Sequence, residues 1–133
     1  MFEQIKIKTN NKVEFVDITG EIREKVQTSQ VNEGAVIINV PHTTAGITIN
    51  ESADPNVKKD IINQLKKVIP FNNNYKHREG NSAAHIKSTL VGSSENIIIK
   101  NGSLSLGTWQ GIFFCEFDGP RRRTLNIKIL KDI

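Results

Sequence analysis

Apolar residues recur along this chain at two spacings, every second position and every third or fourth, and the order of the two patterns predicts the elements. Ile5 and Ile7, then Val13 and Phe15, alternate with polar neighbours on either side of Thr9-Asn10-Asn11-Lys12, which predicts two strands joined as a hairpin. Thr19 is placed to cap a helix in which Ile22 and Val26 stand four apart, with Glu21 near its positive end and Asn32-Glu33-Gly34 closing it. Ala35 to Val40 is a short apolar run of strand type, and Ile47-Thr48-Ile49-Asn50-Glu51 resumes extended alternation after Pro41 to Gly46. Asp54-Pro55 opens a second helix, because a capping aspartate accepts orphan amide protons and a proline in the first turn gives up no hydrogen bond. Val57, Ile61, Leu65 and Val68 form its apolar stripe, which stops before Pro70.

Phe71 to Asn81 is a long polar loop rich in Asn, Gly and His, a composition typical of functional loops. Ser82 is placed to cap a third helix that runs through Leu90 to Gly92, with Ala83, Ile86 and Leu90 as its core face. The remainder reads as strand: Ile97-Ile98-Ile99 as a buried one, Gln110 to Phe117, and Thr124 to Leu130, the last two joined by a turn at Asp118-Gly119-Pro120-Arg121. Locally paired strands with helices between them predict an α+β fold, a single compact domain over residues 1–133 with mainly antiparallel stacked β-sheets and about three helices.

Charge narrows the function classes. Eighteen Lys and Arg against 14 Asp and Glu leave +4, enough to favour small anions but not a nucleic-acid tail, and no aromatic-basic interleaving marks a single-strand-binding surface. The densest basic element is Arg121-Arg122-Arg123. Cys115, alone inside Ile112-Phe113-Phe114-Cys115, reads as a small buried hydrophobe. Neither a leader nor a membrane-crossing stretch is present at the start or elsewhere, so a cytoplasmic location and no membrane partner are expected.

The chain's three histidines, His42, His77 and His85, each sit among other reactive residue types. Three converging imidazoles would make a Zn²⁺ site with one open position, suited to a metal-dependent hydrolase of a small phosphorylated compound. The same residues without metal would serve as acid and base around a substrate, or in a ligand-binding protein without turnover. His42 is followed by Thr43 and Thr44, and Glu51, at a strand end beside Asn50, is a candidate acid, base or ligand for Mg²⁺ carried by a phosphorylated substrate. Asn81 and Ser82 open a helix next to Lys87 and Arg78, the makings of an anion site at a helix N-terminus. Trp109 is placed either to stack on a heteroaromatic ring or to plug the core, and Gln110 to read a ring edge. Period-two alternation puts Gln110, Ile112, Phe114 and Glu116 on one strand face.

Taken in order, Pro41-His42-Thr43-Thr44-Ala45, Thr48-x-Asn50-Glu51-x-x-Asp54-Pro55-x-Val57, Tyr75-x-His77, His85-Ile86-Lys87-Ser88 and Gly107-Thr108-Trp109-Gln110-Gly111-Ile112, with Glu116 and Arg121 to Arg123, resemble the YjbQ-type family of secondary thiamine-phosphate synthases. The resemblance implies a compact α+β fold, assembly as a homotrimer with pockets near subunit boundaries, and weak joining of an aminopyrimidine pyrophosphate to a thiazole phosphate. It nominates His42, Asn50, Glu51, His77, His85, Trp109 and Gln110 as pocket residues and the Arg121 to Arg123 region as a phosphate contact. The chain carries no DDxxD-like carboxylate cluster to grip Mg²⁺-pyrophosphate.

Overall fold

The computed structural model describes all of residues 1–133. Its strands are β1 (Phe2–Lys8), β2 (Glu14–Asp17), β3 (Gly34–Asn39), β4 (Ala45–Glu51), β5 (Ser94–Lys100), β6 (Ser103–Leu104), β7 (Gln110–Glu116) and β8 (Arg122–Lys131), and its helices are α1 (Thr19–Ser29), α2 (Pro55–Val68) and α3 (Ser82–Val91). They form two antiparallel sheets, one in the order β1-β8-β3-β5-β6 and a smaller one in the order β2-β7-β4. The α+β class with three helices and stacked antiparallel sheets is as the residue pattern predicts.

The opening hairpin is not formed. β1 pairs with β8 and β2 with β7, so the two strands flanking Thr9-Asn10-Asn11-Lys12 belong to different sheets and that segment crosses from one layer to the other. Alternation identified the strands correctly, but the partners came from the far end of the chain, where sequence spacing carries no information.

The layers follow from which faces are apolar. Val36, Ile38, Ile97, Ile99, Leu125, Ile127 and Ile129 of the larger sheet meet Ile47, Ile112 and Phe114 of the smaller one, with Ile18, Ile22 and Val26 of the α1 region completing the core. On the other face of the smaller sheet, Phe15, Phe113, Cys115 and Phe117 are covered by α2 and α3 through Ile61, Ile62, Leu65, Ala84 and Val91. β7 is therefore buried on both faces, which explains its near-continuous apolar run. Burial pushes the Cys115 thiol well above its ordinary range, as expected of an inert core residue.

Several local expectations shift. Asp54 caps α2, accepting from the Asn56 N–H at 2.9 Å. Thr19 does not cap α1: it is the first helical residue, Asp17 Oδ1 accepts from its N–H and hydroxyl, and its Oγ1 accepts from the Ile112 N–H, docking the helix onto β7. The helix ends earlier than Asn32-Gly34, at Gln30 in the left-handed region. Ser82 is likewise the first residue of α3, not its cap; the cap position is Asn81, whose side chain points elsewhere. The core face of α3 is Ala83, Ala84, Lys87 and Ser88, while Ile86 and Leu90 are exposed. Ile98 also faces out between buried Ile97 and Ile99, as a half-covered antiparallel strand requires.

Gly46 lets α3 reach the small sheet, since a Cβ there would lie 2.7 Å from the Gly92 carbonyl oxygen. That close approach brings His85 beside the Pro41–Thr44 connection.

Candidate functional site

The connection between β3 and β4 is where strand pairing breaks off. Asn39 pairs with Asn126, and continuing that register would set Pro41 opposite Thr124. Proline breaks the ladder there. The vacant partner is supplied by a side chain: the Thr124 N–H donates to His42 Nε2 at 2.9 Å. Because Nε2 accepts, the neutral ring carries its proton on Nδ1, which is then a donor. Partial burial, then the Arg123 charge, lowers the imidazole pKa below its ordinary value, so the neutral tautomer is the favoured one.

Beneath His42 lies a buried ion pair. Glu116, fully buried, accepts from Arg123 Nε at 2.9 Å and from its Nη2, from Thr9 Oγ1 at 2.7 Å and from the Asp118 N–H at 3.0 Å. Burial alone would raise this carboxyl, but the Arg123, Thr9 and Asp118 donors together hold it below the usual carboxylate range. Arg123 also donates to Thr44 Oγ1 at 2.9 Å. Glu116 and Thr44 thus serve as supports for Arg123 rather than as exposed binding groups, as their burial requires.

Arg121 stands at the rim. It donates to the Asp118 carbonyl and to Asp118 Oδ2, both at 2.8 Å, and Asp118 also takes Lys12 at 3.3 Å and Asn81 Nδ2 at 2.9 Å. Asn81 accordingly ties the start of α3 to the 118–121 turn, and its Oδ1 is a buried acceptor without a partner in the chain. Asp118 is held below the ordinary aspartate value; burial opposes this, and Asn81, Lys12 and Arg121 outweigh it.

Two adjoining depressions share His42, Thr43 and Ser93. One, of about 530 Å³, is bounded by Arg121 and Arg123; the other, of about 340 Å³, reaches His85 and Ser88 on α3. Ser88 donates to the Thr43 carbonyl at 2.6 Å, clamping the loop to the helix. Sequence reasoning assigned Ser88 no role, although its position three residues after His85 puts both on one helix face. Thr9, Ser93 and the Thr124 amide had no local signal at all, since their partners lie far off in sequence.

His77 joins the group indirectly. Its ring meets His85 edge-on with centroids 5.2 Å apart, and it lines a neighbouring depression in the 71–80 loop. His85 borders one depression with His42 and touches His77 on another side, and no three His, Cys, Asp or Glu side chains are grouped to hold a metal ion. His42 adds to the mismatch, because one nitrogen accepts from Thr124 and the other is left protonated. The three-histidine Zn²⁺ site does not fit these residues. Mg²⁺ fares no better here, for Glu116, the carboxylate beneath this cleft, is saturated with donors.

The remaining candidates lie elsewhere. Glu51 pairs with Gln110 and Asn50 with Gly111, at the opposite end of the β4–β7 pair from Ala45 and Glu116, roughly 20 Å away along the strands. There Glu51 Oε2 accepts from the Asp54 N–H at 3.2 Å, Asn50 Oδ1 accepts from the Glu51 N–H, and Gln110 Oε1 accepts from the Gly107 N–H at 2.8 Å. Trp109 does not plug the core; it is 63% exposed. Arg122 borders a groove with Lys6 and Lys8 on the β1–β8 face. Lys87 sits on the far side of α3 from His85, in another cavity. One chain therefore gathers His42, Thr43, His85 and Arg121, with Arg123 behind them, but not the indole end.

The fold and the site together define the class, a two-sheet α+β domain with a cationic, histidine-bearing cleft at a broken strand ladder. Residues 3–132 match the family model described as UPF0047 protein YjbQ-like, and the chain belongs to that family. It is 61% identical over 132 residues to a UPF0047 protein of Methanocaldococcus jannaschii, covering 99% of this chain and 96% of the relative. It is 52% identical over 131 residues to YugU of Bacillus subtilis, covering 98% and 99%. A crystal structure of a YjbQ/UPF0047 family protein from Clostridium acetobutylicum superposes with TM-score 0.95 at 55% identity, covering 96% of this chain and 99% of that one. A protein of unknown function from Sulfolobus solfataricus gives TM-score 0.95 at 33% identity, covering 99% and 97%.

Proposed function

We propose that the protein is a low-turnover transferase acting on small phosphorylated substrates in the His42–His85 cleft, and that the reaction is the joining of an aminopyrimidine pyrophosphate to a thiazole phosphate. The observation that carries this reading is the fixed His42 tautomer, a neutral donor between two arginines and a second histidine. In that reaction the thiazole nitrogen forms a bond to the pyrimidine methylene carbon while the carbon–oxygen bond breaks and pyrophosphate leaves with the electron pair. Departure needs charge stabilisation more than a strong nucleophile. Arg121 and the His42 Nδ1–H would meet the phosphate oxygens, Arg123 would add fixed positive charge, and His85 would deliver a proton to the leaving group. The absence of a dense carboxylate cluster in this cleft accords with slow rather than efficient turnover.

The resemblance further implies a homotrimer. A trimer in which Trp109, Gln110, Asn50 and Glu51 of one copy approach the histidine cleft of the next would unite both groups, and the exposed indole supports that arrangement. Light scattering should then return three times the 14.9 kDa chain mass.

The test is incubation with both precursors and chromatographic detection of thiamine phosphate. We expect slow product formation, with His85→Ala lowering kcat by about 100-fold and Arg121→Ala acting mainly on KM. Saturable binding of either precursor without product would refute the transferase reading and leave a ligand-binding protein.

A further inference from the structure

α3 presents chemistry on two sides. His85 faces the histidine cleft, while Lys87, two residues on and roughly 200° round the helix, reaches a cavity of about 620 Å³ that Lys12 and Lys66 also line. Val13, Ile62 and Phe71 supply apolar walls. Lys87 is only 5% exposed, yet it has no ion-pair partner among the carboxylates of the chain. Its ammonium is not sealed into the core either, since the one fully occluded side-chain polar atom without a partner is Asn81 Oδ1.

Buried lysines are ordinarily paired, or else they extend the ammonium to bulk water along an apolar stem. Here the ammonium ends in a cavity with two further lysines. Lys12 is compensated, lying 3.3 Å from Asp118 and 4.3 Å above the Phe71 ring. Asp118 is itself already shared with Arg121 and Asn81, and it forms no ion pair with Lys66 or Lys87. Lys66 and Lys87 remain without a counter-charge, and burial together with the Lys66 charge pushes the Lys87 pKa below its ordinary value. An anion entering the cavity would relieve both effects.

We propose that this cavity is a second binding site, separate from the histidine cleft, for a small phosphate monoester on an apolar or aromatic body, its phosphate held by Lys87 and Lys66 and its body lying against Ile62 and Phe71. A monoester suits the site because two uncompensated ammonium groups match a dianion, and lysine holds phosphate as a point charge without needing a planar fork. The walls argue for more than free phosphate.

Calorimetric titration of the whole protein with phenyl phosphate tests the site, with inorganic phosphate and benzoate as the comparison arms. Saturable phenyl phosphate binding is expected, weakened by about tenfold or more in Lys87→Met and about threefold in Lys66→Ala, and retained in His85→Ala. Inorganic phosphate and benzoate should both bind more weakly than phenyl phosphate. Affinity unchanged in both lysine variants, binding lost in His85→Ala, or benzoate binding more tightly would each overturn the proposal. Should Lys87→Met fail to fold, Lys66→Glu, altered at an exposed position, decides: wild-type affinity there would also overturn it. The outcome is independent of turnover, so failure of the transferase reading leaves this site standing.

Discussion

At the Ala45–Glu116 end of the β4–β7 pair, polar groups are buried and multiply bonded: Glu116 takes Arg123, Thr9 and the Asp118 amide, and Thr44 takes Arg123. At the Glu51–Gln110 end, each side chain bonds only to an amide within three residues of itself, and Trp109 lies open. The same two strands thus carry a preorganised site at one end and an adaptable surface at the other. A site that stabilises charge during a reaction benefits from dipoles fixed beforehand, whereas a surface meant to meet a ring or another subunit need not be locked in advance. The contrast predicts where substitutions should cost stability and where they should cost only function.

The largest effect falls on the buried ion pair. Glu116→Ala should destabilise the fold by about 3–5 kcal/mol, because Arg123 would remain buried without its carboxylate. Denaturant unfolding measures it. Replacing both partners, Glu116→Met with Arg123→Met, should recover much of that loss while removing the fixed charge beneath the cleft, which would separate the pair's structural part from its electrostatic part. If the single variant cost under about 1 kcal/mol, the preorganised end of the comparison would collapse.

Acid titration sharpens the same contrast. His42 has a lowered folded pKa, so the stability its neutral form contributes is present above the unfolded value of about 6.5 and is lost as pH falls through the folded one. Glu116 and Asp118 are also lowered, so their contribution is present above the ordinary carboxylate range and fades on further acidification through their folded values. All three have the same sign, and stability should fall in two stages as the solution is acidified, the first stage absent in His42→Gln. Thermal unfolding followed across pH would show it. A first stage that persisted in His42→Gln would remove the Thr124–His42 bond from the account.

Much of this architecture was legible from the residues, and the parts that were not share a cause. Alternation located β1, β2, β7 and β8, and Asp54-Pro55 located α2, because those signals are local. Strand partners were invisible: the Thr9 segment reads as a hairpin turn, and only pairing with residues near the other end of the chain turns it into a crossover. For the site, the motifs flagged candidate residues but not which of them stand together. His42 and His85 meet because Gly46 admits α3, and Lys87 leaves them because it lies two positions along a helix whose core face is small and polar instead of Ile86 and Leu90.

At the adaptable end effects on stability should be small. Asp54→Ala should cost about 1 kcal/mol, the ordinary worth of a helix cap, since its carboxylate serves the Asn56 amide.

Trp109→Ala is the most discriminating change because its expected effect on folding is the smallest. A side chain 63% exposed loses little packing on truncation, so the cost to chain stability should stay within about 0.5 kcal/mol. If the indole completes a neighbouring copy's cleft, the same variant should nonetheless lower turnover or weaken trimer association, read by the precursor assay and by light scattering at low protein concentration. A variant that kept full turnover and full association would leave the indole end without a part in the chemistry, and the two ends of the β4–β7 pair would then be unrelated in function as well as in construction. A loss of both would tie them together across a subunit boundary, with the locked end stabilising charge and the open end receiving the ring.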